Sequence, residues 1–235
     1  MFTLDGYREL LSSFLVSGYE FRLFDDYVCP NRCVYLRHDL DFCVDYALPI
    51  ATLEAEYNIK STFFVLINSK LYNLFDEDNI RILKRISQMG HMICMHVDEQ
   101  SLNEKNTFEH QMCAFLDMLP FASSRFISRH RPNVNSSSSS WLPKEVVDVY
   151  CSSYFKEIEY ASDSRGEWRY GYPTDREAFI KKRSFQLLTH PIWWIHDNNV
   201  SNNEKIQLML EHRLADCEQS LSFLNFNSNN KGESL

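Results

Sequence analysis

No stretch of the chain is apolar over anything approaching about 18 residues, the length a membrane-spanning helix needs, and this excludes an anchor of that kind. Lysine and arginine form no cluster, and with a net charge of -8 and a pI near 5.5 a phosphate-backbone partner has nothing to hold. Nucleic acid is therefore set aside. The first residues, Met1-Phe2-Thr3-Leu4-Asp5, lack the basic start and long apolar core of a secretion signal, so a cytoplasmic location is expected. No glycine-rich phosphate loop follows the first strand-like segment, which counts against a dinucleotide-binding sheet. Disulfides are not expected either: the seven cysteines are odd in number and scattered through apparent core segments (Cys43, Cys94, Cys113, Cys151, Cys217). Cys29 and Cys33 lie four apart beside Pro30, but no second pair follows at zinc-site spacing.

What is present is a generous core. At 235 residues, 44% hydrophobic and 14% aromatic, the sequence suits a single domain over residues 1–224, with a polar tail at 225–235. Leu4, Tyr7, Leu10, Leu11, Phe14 and Leu15 recur at helical spacing and Gly18 follows as a C-terminal stop. Residues 19–24 and 34–39 alternate as strands. A helix is expected over 45–57, a strand over 61–66, a helix over 78–89 stopped by Gly90, and a strand over 91–96. Thr107 can cap a helix carrying Phe108, Met112, Phe115 and Leu119, and a strand over 125–130 follows. Residues 133–140, with five consecutive serines, read as a polar loop. Residues 143–149 look helical, 154–160 and 185–189 strand-like, and Ser201-Asn202-Asn203-Glu204 has the form of a capping box opening a last helix. Strands alternating with helices predict an α/β fold with a mostly parallel sheet, and a (β/α) barrel is preferred over an open sheet.

In such a barrel the chemistry lies at the C-terminal ends of strands. Asp39, Asp41, His96, His130, Asp163 and His190 all fall there. Because side chains alternate along a strand, Asp39 and Asp41 share one face while His38 and Leu40 share the other. Two carboxylates on one face can divide the labour of cation binding and proton transfer. His91 and His96 end on opposite faces about 16 Å apart, so both cannot ligate one ion. His96 is the candidate ligand, and His91 is expected to be structural at the far rim.

Five motifs in order resemble the polysaccharide deacetylase family of metal-dependent carbohydrate esterases: Arg37-His38-Asp39-Leu40-Asp41, Ser61-Thr62-Phe63-Phe64-Val65, Gly90-His91-Met92-Ile93-Cys94-Met95-His96, Arg129-His130-Arg131-Pro132 and Leu188-Thr189-His190. The resemblance spans about Val34 to Trp194 and implies a distorted barrel of about seven strands, deacetylation of an N- or O-acetylated sugar, and a divalent metal, commonly zinc. It assigns Asp39 as general base, His190 as general acid and His96 as a metal ligand. Two departures stand out. Leu40 occupies the place of the family's second aspartate, and strand alternation offers Asp41 in its stead. The second metal histidine falls at Gln100, a poor ligand, and His130 is the candidate to replace it. The polar cluster at 161–168 resembles the family's acidic and tryptophan motif, in which Asp163 would orient His190, Arg165 would neutralise a carboxylate and Trp168 would flank the site. The bland alternative is a polar turn around Gly166. Arg129 and Arg131 are alternative partners for Asp39, with Arg131 also a substrate contact. Trp193 and Trp194 either wall an acetyl pocket and stack on a sugar, or are buried core.

These readings predict a cytoplasmic deacetylase of a small, lipid-linked or nucleotide-linked acetylated sugar, as in bacterial surface-polysaccharide assembly. A catalytically silent carbohydrate-binding relative and an allantoinase-like hydrolase of a non-sugar C–N bond are the alternatives.

Overall fold

The computed structural model describes residues 2–25, 28–132, 141–197 and 199–222, so the serine loop 133–140 and the tail 225–235 lie outside the described residues. Eight strands form one sheet: β1 (Glu20–Arg22), β2 (Cys33–Leu40), β3 (Thr62–Leu66), β4 (Met92–Asp98), β5 (Ser123–His130), β6 (Val147–Asp148), β7 (Glu159–Ser162) and β8 (Phe185–Thr189). The helices are α1 (Leu4–Val16), α2 (Ala47–Glu56), α3 (Glu77–Gln88), α4 (Glu99–Asn103), α5 (Lys105–Met118), α6 (Ser152–Phe155), α7 (Glu177–Ile180) and α8 (Asn202–Ser222). Across the sheet the order is β6-β5-β4-β3-β2-β8-β7, with β1 beside the first half of β2, and every strand pair is parallel. No helix among the described residues is long and apolar enough to cross a membrane.

The sheet curls into a distorted barrel, and side chains prove the curl. Strands β2 and β6 are separated by three others, yet Arg37 on β2 donates to the Tyr150 hydroxyl just beyond β6 at 2.8 Å. Phe24, Tyr35, Phe64, Cys94, Phe126 and Tyr154 likewise form one cluster inside, while Val34, Leu36, Phe63, Val65, Ile93 and Leu187 pack outward beneath the helices. Alternation thus divides each strand between two cores. Among the described residues β6 and β7 are not hydrogen-bonded, and side chains bridge that seam. Gln186 donates to the Val149 and Tyr154 carbonyls at 2.9 and 2.6 Å, and the rings of Tyr150, Phe155 and Tyr160 pack together. Phe126 is buried at this floor. Truncating it to alanine should cost about 3–5 kcal/mol, read as a lower urea midpoint with an unchanged slope.

Most expected elements are present with ends shifted by a few residues, and three differ. Residues 143–149 do not form a helix. Pro143 closes only one turn, its carbonyl accepting from the Val146 amide at 2.9 Å, and the chain then pairs with β5 as β6, where the β-branched valines suit a strand. The expected strand at 154–160 begins only at Glu159, because Tyr154 turns into the floor within α6 to pack on Phe24 and Tyr35. Helix α5 starts before Thr107, whose hydroxyl instead bonds the Glu104 carboxylate at 2.9 Å. The capping box forms as read, Ser201 N–H donating to Glu204 at 2.7 Å and the Glu204 amide to Ser201 at 3.3 Å. Gly18 follows α1 at φ +79°, in the left-handed region where glycine fits.

Candidate active site

Strand β2 delivers Arg37 and Asp39 on the inner face, and Asp41, the first residue past its end, lies beyond them toward the barrel mouth. Arg37 is fully buried. Its Nη2 donates to Asp39 Oδ2 at 2.8 Å, its Nη1 to Gln186 at 3.0 Å, and its guanidinium lies over the Tyr150 ring at 4.7 Å. One oxygen of Asp39 is thereby held, with Ser128 Oγ a longer donor at 3.4 Å, while Oδ1 has no hydrogen-bond partner among the described residues. Neither Arg129 nor Arg131 pairs with Asp39. Arg129 is engaged by Asp148 at 2.9 Å, and Arg131 is exposed beside His130.

Asp41 stands amid three imidazoles. His96 Nε2 is 3.2 Å from its Oδ1, and the Nε2 atoms of His130 and His190 are 3.7 and 3.8 Å from its Oδ2. Burial alone would raise the Asp41 carboxyl, but the contact with His96 and the charges of His190 and His130 hold it well below the usual range. His96 Nδ1 lies 2.9 Å from the Ser128 carbonyl, which can only accept, so that nitrogen carries a proton. In neutral His96 the Nε2 lone pair would then face the carboxylate, an arrangement that is repulsive unless positive charge lies between them. In the metal-free protein a proton serves: burial works against it, but Asp39 and Asp41 raise the pKa of His96. His130, by contrast, is pushed down by burial and kept as a free base suited to ligation.

A divalent cation fits the same place chemically. As they stand, no three of these side chains are arranged to hold an ion, and among the described residues no other such group exists. Yet two ligands bonded at about 2.0–2.2 Å in a tetrahedral shell lie about 3.3–3.5 Å apart, close to the 3.2 Å between His96 Nε2 and Asp41 Oδ1. Asp41 Oδ1 and His130 Nε2 are also buried without hydrogen-bond partners among the described residues. Of the two candidates for the remaining ligand, His130 stands at Asp41, whereas Gln100 is exposed on α4.

His190 follows β8 and is positioned from behind. Its Nδ1 is 2.6 Å from Asp163 Oδ1, its backbone N–H also donates to Asp163, and the Trp194 indole donates to Asp163 Oδ2 at 2.7 Å. Burial opposes protonation of His190, but the Asp163 charge and hydrogen bond, with Asp41 and Asp39 beyond, push its pKa up to about 9. Asp39, Asp41, Phe42, His190, Pro191 and Ile192 line one cleft. A larger hollow of about 560 Å³ between α1, α2 and α3 is lined by no histidine.

The chain resembles peptidoglycan deacetylases in outline. No family model and no curated protein matches it. Among solved structures, the Bc1960 peptidoglycan N-acetylglucosamine deacetylase is 17% identical, with 78% of this chain and 82% of that one covered and a TM-score of 0.47. The catalytic domain of peptidoglycan N-acetylglucosamine deacetylase from Eubacterium rectale is 17% identical, covering 82% and 89%, at 0.46. A family 4 carbohydrate esterase from Bacillus anthracis is 15% identical, covering 89% and 86%, at 0.40. The chemistry of the site rests on its own side chains.

Several expected site residues lie apart from this cluster. Arg165 is exposed, in a left-handed turn at φ +66°, and its carbonyl accepts from Asn202. Trp168 is half-buried on the outer side against Phe2 and Trp194, and Trp193 is buried against Phe42. Trp194 is buried as well, so none of the three tryptophans offers a sugar an open face within the cluster, and the core alternative describes Trp193 and Trp194. His91 is structural, accepting from the Ser61 amide at 3.2 Å and donating to the Ala51 carbonyl at 3.1 Å. Arg37, which the sequence expectations do not include, sits two residues before Asp39, the spacing that shares a strand face.

Proposed function

We propose that the protein is a metal-dependent deacetylase of an N- or O-acetylated sugar, related to the polysaccharide deacetylases. The observation that carries this reading is the convergence of Asp39, His96, His130 and an Asp163-backed His190 around Asp41, from the ends of four strands and the segment following β7. Asp41, His96 and His130 would hold the ion, and this two-histidine, one-carboxylate set suits zinc. When bound, such an ion lowers the pKa of water toward about 7 and polarises a carbonyl. Asp39 takes the proton of the attacking water on its unpartnered Oδ1, while Arg37 keeps the carboxylate turned toward the cleft. His190 gives a proton from Nε2 to the departing amine or alcohol, and Asp163, accepting from Nδ1–H, fixes the ring in that orientation.

The test has two parts. Acetylated amino sugars should release acetate in a chelator-sensitive way. Calorimetric titration of the metal-free protein with zinc should show one strong site that His96→Ala and His130→Ala each weaken by about 10-fold or more. Unchanged affinity in His130→Ala would remove that residue from the shell. Tight zinc binding without acetate release would favour a silent relative or another C–N substrate.

A further inference from the structure

Behind the cleft, on the outer face of the sheet, lies a second polar cluster that the reaction does not use. Glu54 of α2 is fully buried beneath α1. Its Oε1 accepts from the Tyr7 hydroxyl at 2.5 Å and lies 2.8 Å from His38 Nε2, and its Oε2 accepts from Ser61 Oγ at 2.5 Å. The other ring nitrogen of His38 lies 2.8 Å from Thr189 Oγ1, hydrogen-bonded across two strands. The string of carboxylate, imidazole and hydroxyl has the order of a nucleophilic triad. Thr189 is fully buried, however, so no substrate reaches it.

Its position gives it another use. His38 and Thr189 are a register pair between β2 and β8, and each immediately precedes a reacting residue, Asp39 and His190. Adjacent strand residues face opposite ways, so the outer bond and the inner catalytic pair are carried by the same peptide units. A buried polar network with its donors satisfied admits one geometry where an apolar contact tolerates several. We propose that His38 and Thr189, anchored on Glu54 and through it on Tyr7 and Ser61, are positioning residues that set the placement of the base on β2 relative to the acid at the end of β8. This rests on the deacetylase reading for its kinetic test but not for its spectroscopic one.

The discriminating variants are Thr189→Val, which removes the hydroxyl at nearly constant shape, and Thr189→Ser, which restores it. The valine variant should lose about 10-fold or more in kcat at nearly unchanged KM, and the serine variant should recover most of that loss. A wild-type kcat in Thr189→Val, or an equal loss in both variants, overturns the proposal. Should Thr189→Val fail to fold, Tyr7→Phe removes one donor to Glu54 far from the cleft. A several-fold loss of kcat at constant KM supports the proposal there, and a change in Tm alone overturns it. If the wild type deacetylates nothing, the functional reading falls by itself. The network is then tested by the proton resonance of the His190 Nδ1–H. A shift in Thr189→Val (or in Tyr7→Phe) that is absent in Thr189→Ser supports the proposal, and an unmoved signal overturns it.

Discussion

Asp39→Asn should reduce turnover about 100- to 10,000-fold with zinc affinity close to wild type. The substitution keeps an oxygen that can still accept from Arg37 Nη2, so the bond that holds the side chain at 2.8 Å has a replacement, while the basic oxygen that would receive a proton is lost. Burial sharpens the experiment. Arg37 is fully enclosed and Asp39 nearly so, and removing one member of a buried ion pair outright costs about 3–5 kcal/mol, whereas an amide leaves the guanidinium bonded. Asp39→Ala should accordingly be both inactive and markedly less stable, with Asp39→Asn inactive but folded, as circular dichroism on heating would report. Substantial acetate release by Asp39→Asn would end its assignment as the base.

The pair at the centre of that prediction shows what the sequence could and could not reveal. Alternation along β2 is legible: it puts Asp39 and Asp41 on one face, and it accounts for Leu40, which packs in the outer hydrophobic core. The same period puts Arg37 beside Asp39, whereas the arginines of the downstream motif, Arg129 and Arg131, are the expected partners. Arg129 is instead taken by Asp148, a residue on a two-residue strand whose surroundings carry too few positions for any periodicity to register. Long regular elements, α1 and β2 through β5, were readable because a repeating pattern accumulates over many residues. The stretch from 143 to 162 was not, because β6 and α6 exist only through contacts with the barrel floor. Glu54 lay still further from view, since nothing local in α2 distinguishes a helix glutamate bound for solvent from one that will meet Tyr7, His38 and Ser61 in the core.

Asp163→Asn should move the alkaline limb of the pH–rate profile toward lower pH, and the sign follows from the forces on His190. Burial alone lowers the pKa of this imidazole, and the charge and hydrogen bond of Asp163 are the main forces that raise it, to about 9. A general acid works only while protonated, so the alkaline limb of wild-type kcat falls as pH rises through that value. With asparagine at 163 the desolvation remains and the largest compensating charge is gone, leaving only Asp41 and Asp39 to favour the proton, so the ring loses it at a lower pH than in wild type. At pH 8 the variant should be about 10-fold or more slower than wild type, with the deficit shrinking as pH is lowered. Stability shifts with it. A folded-state pKa above the unfolded one contributes stability that is complete below about 6.5 and disappears as pH climbs through about 9, and Asp163→Asn should flatten that slope. A cation at Asp41 draws on one of the same carboxylates and lowers both values together, which is why the decisive quantity is the separation between wild type and variant under one metal condition. Superimposable profiles would mean that His190 does not deliver the proton.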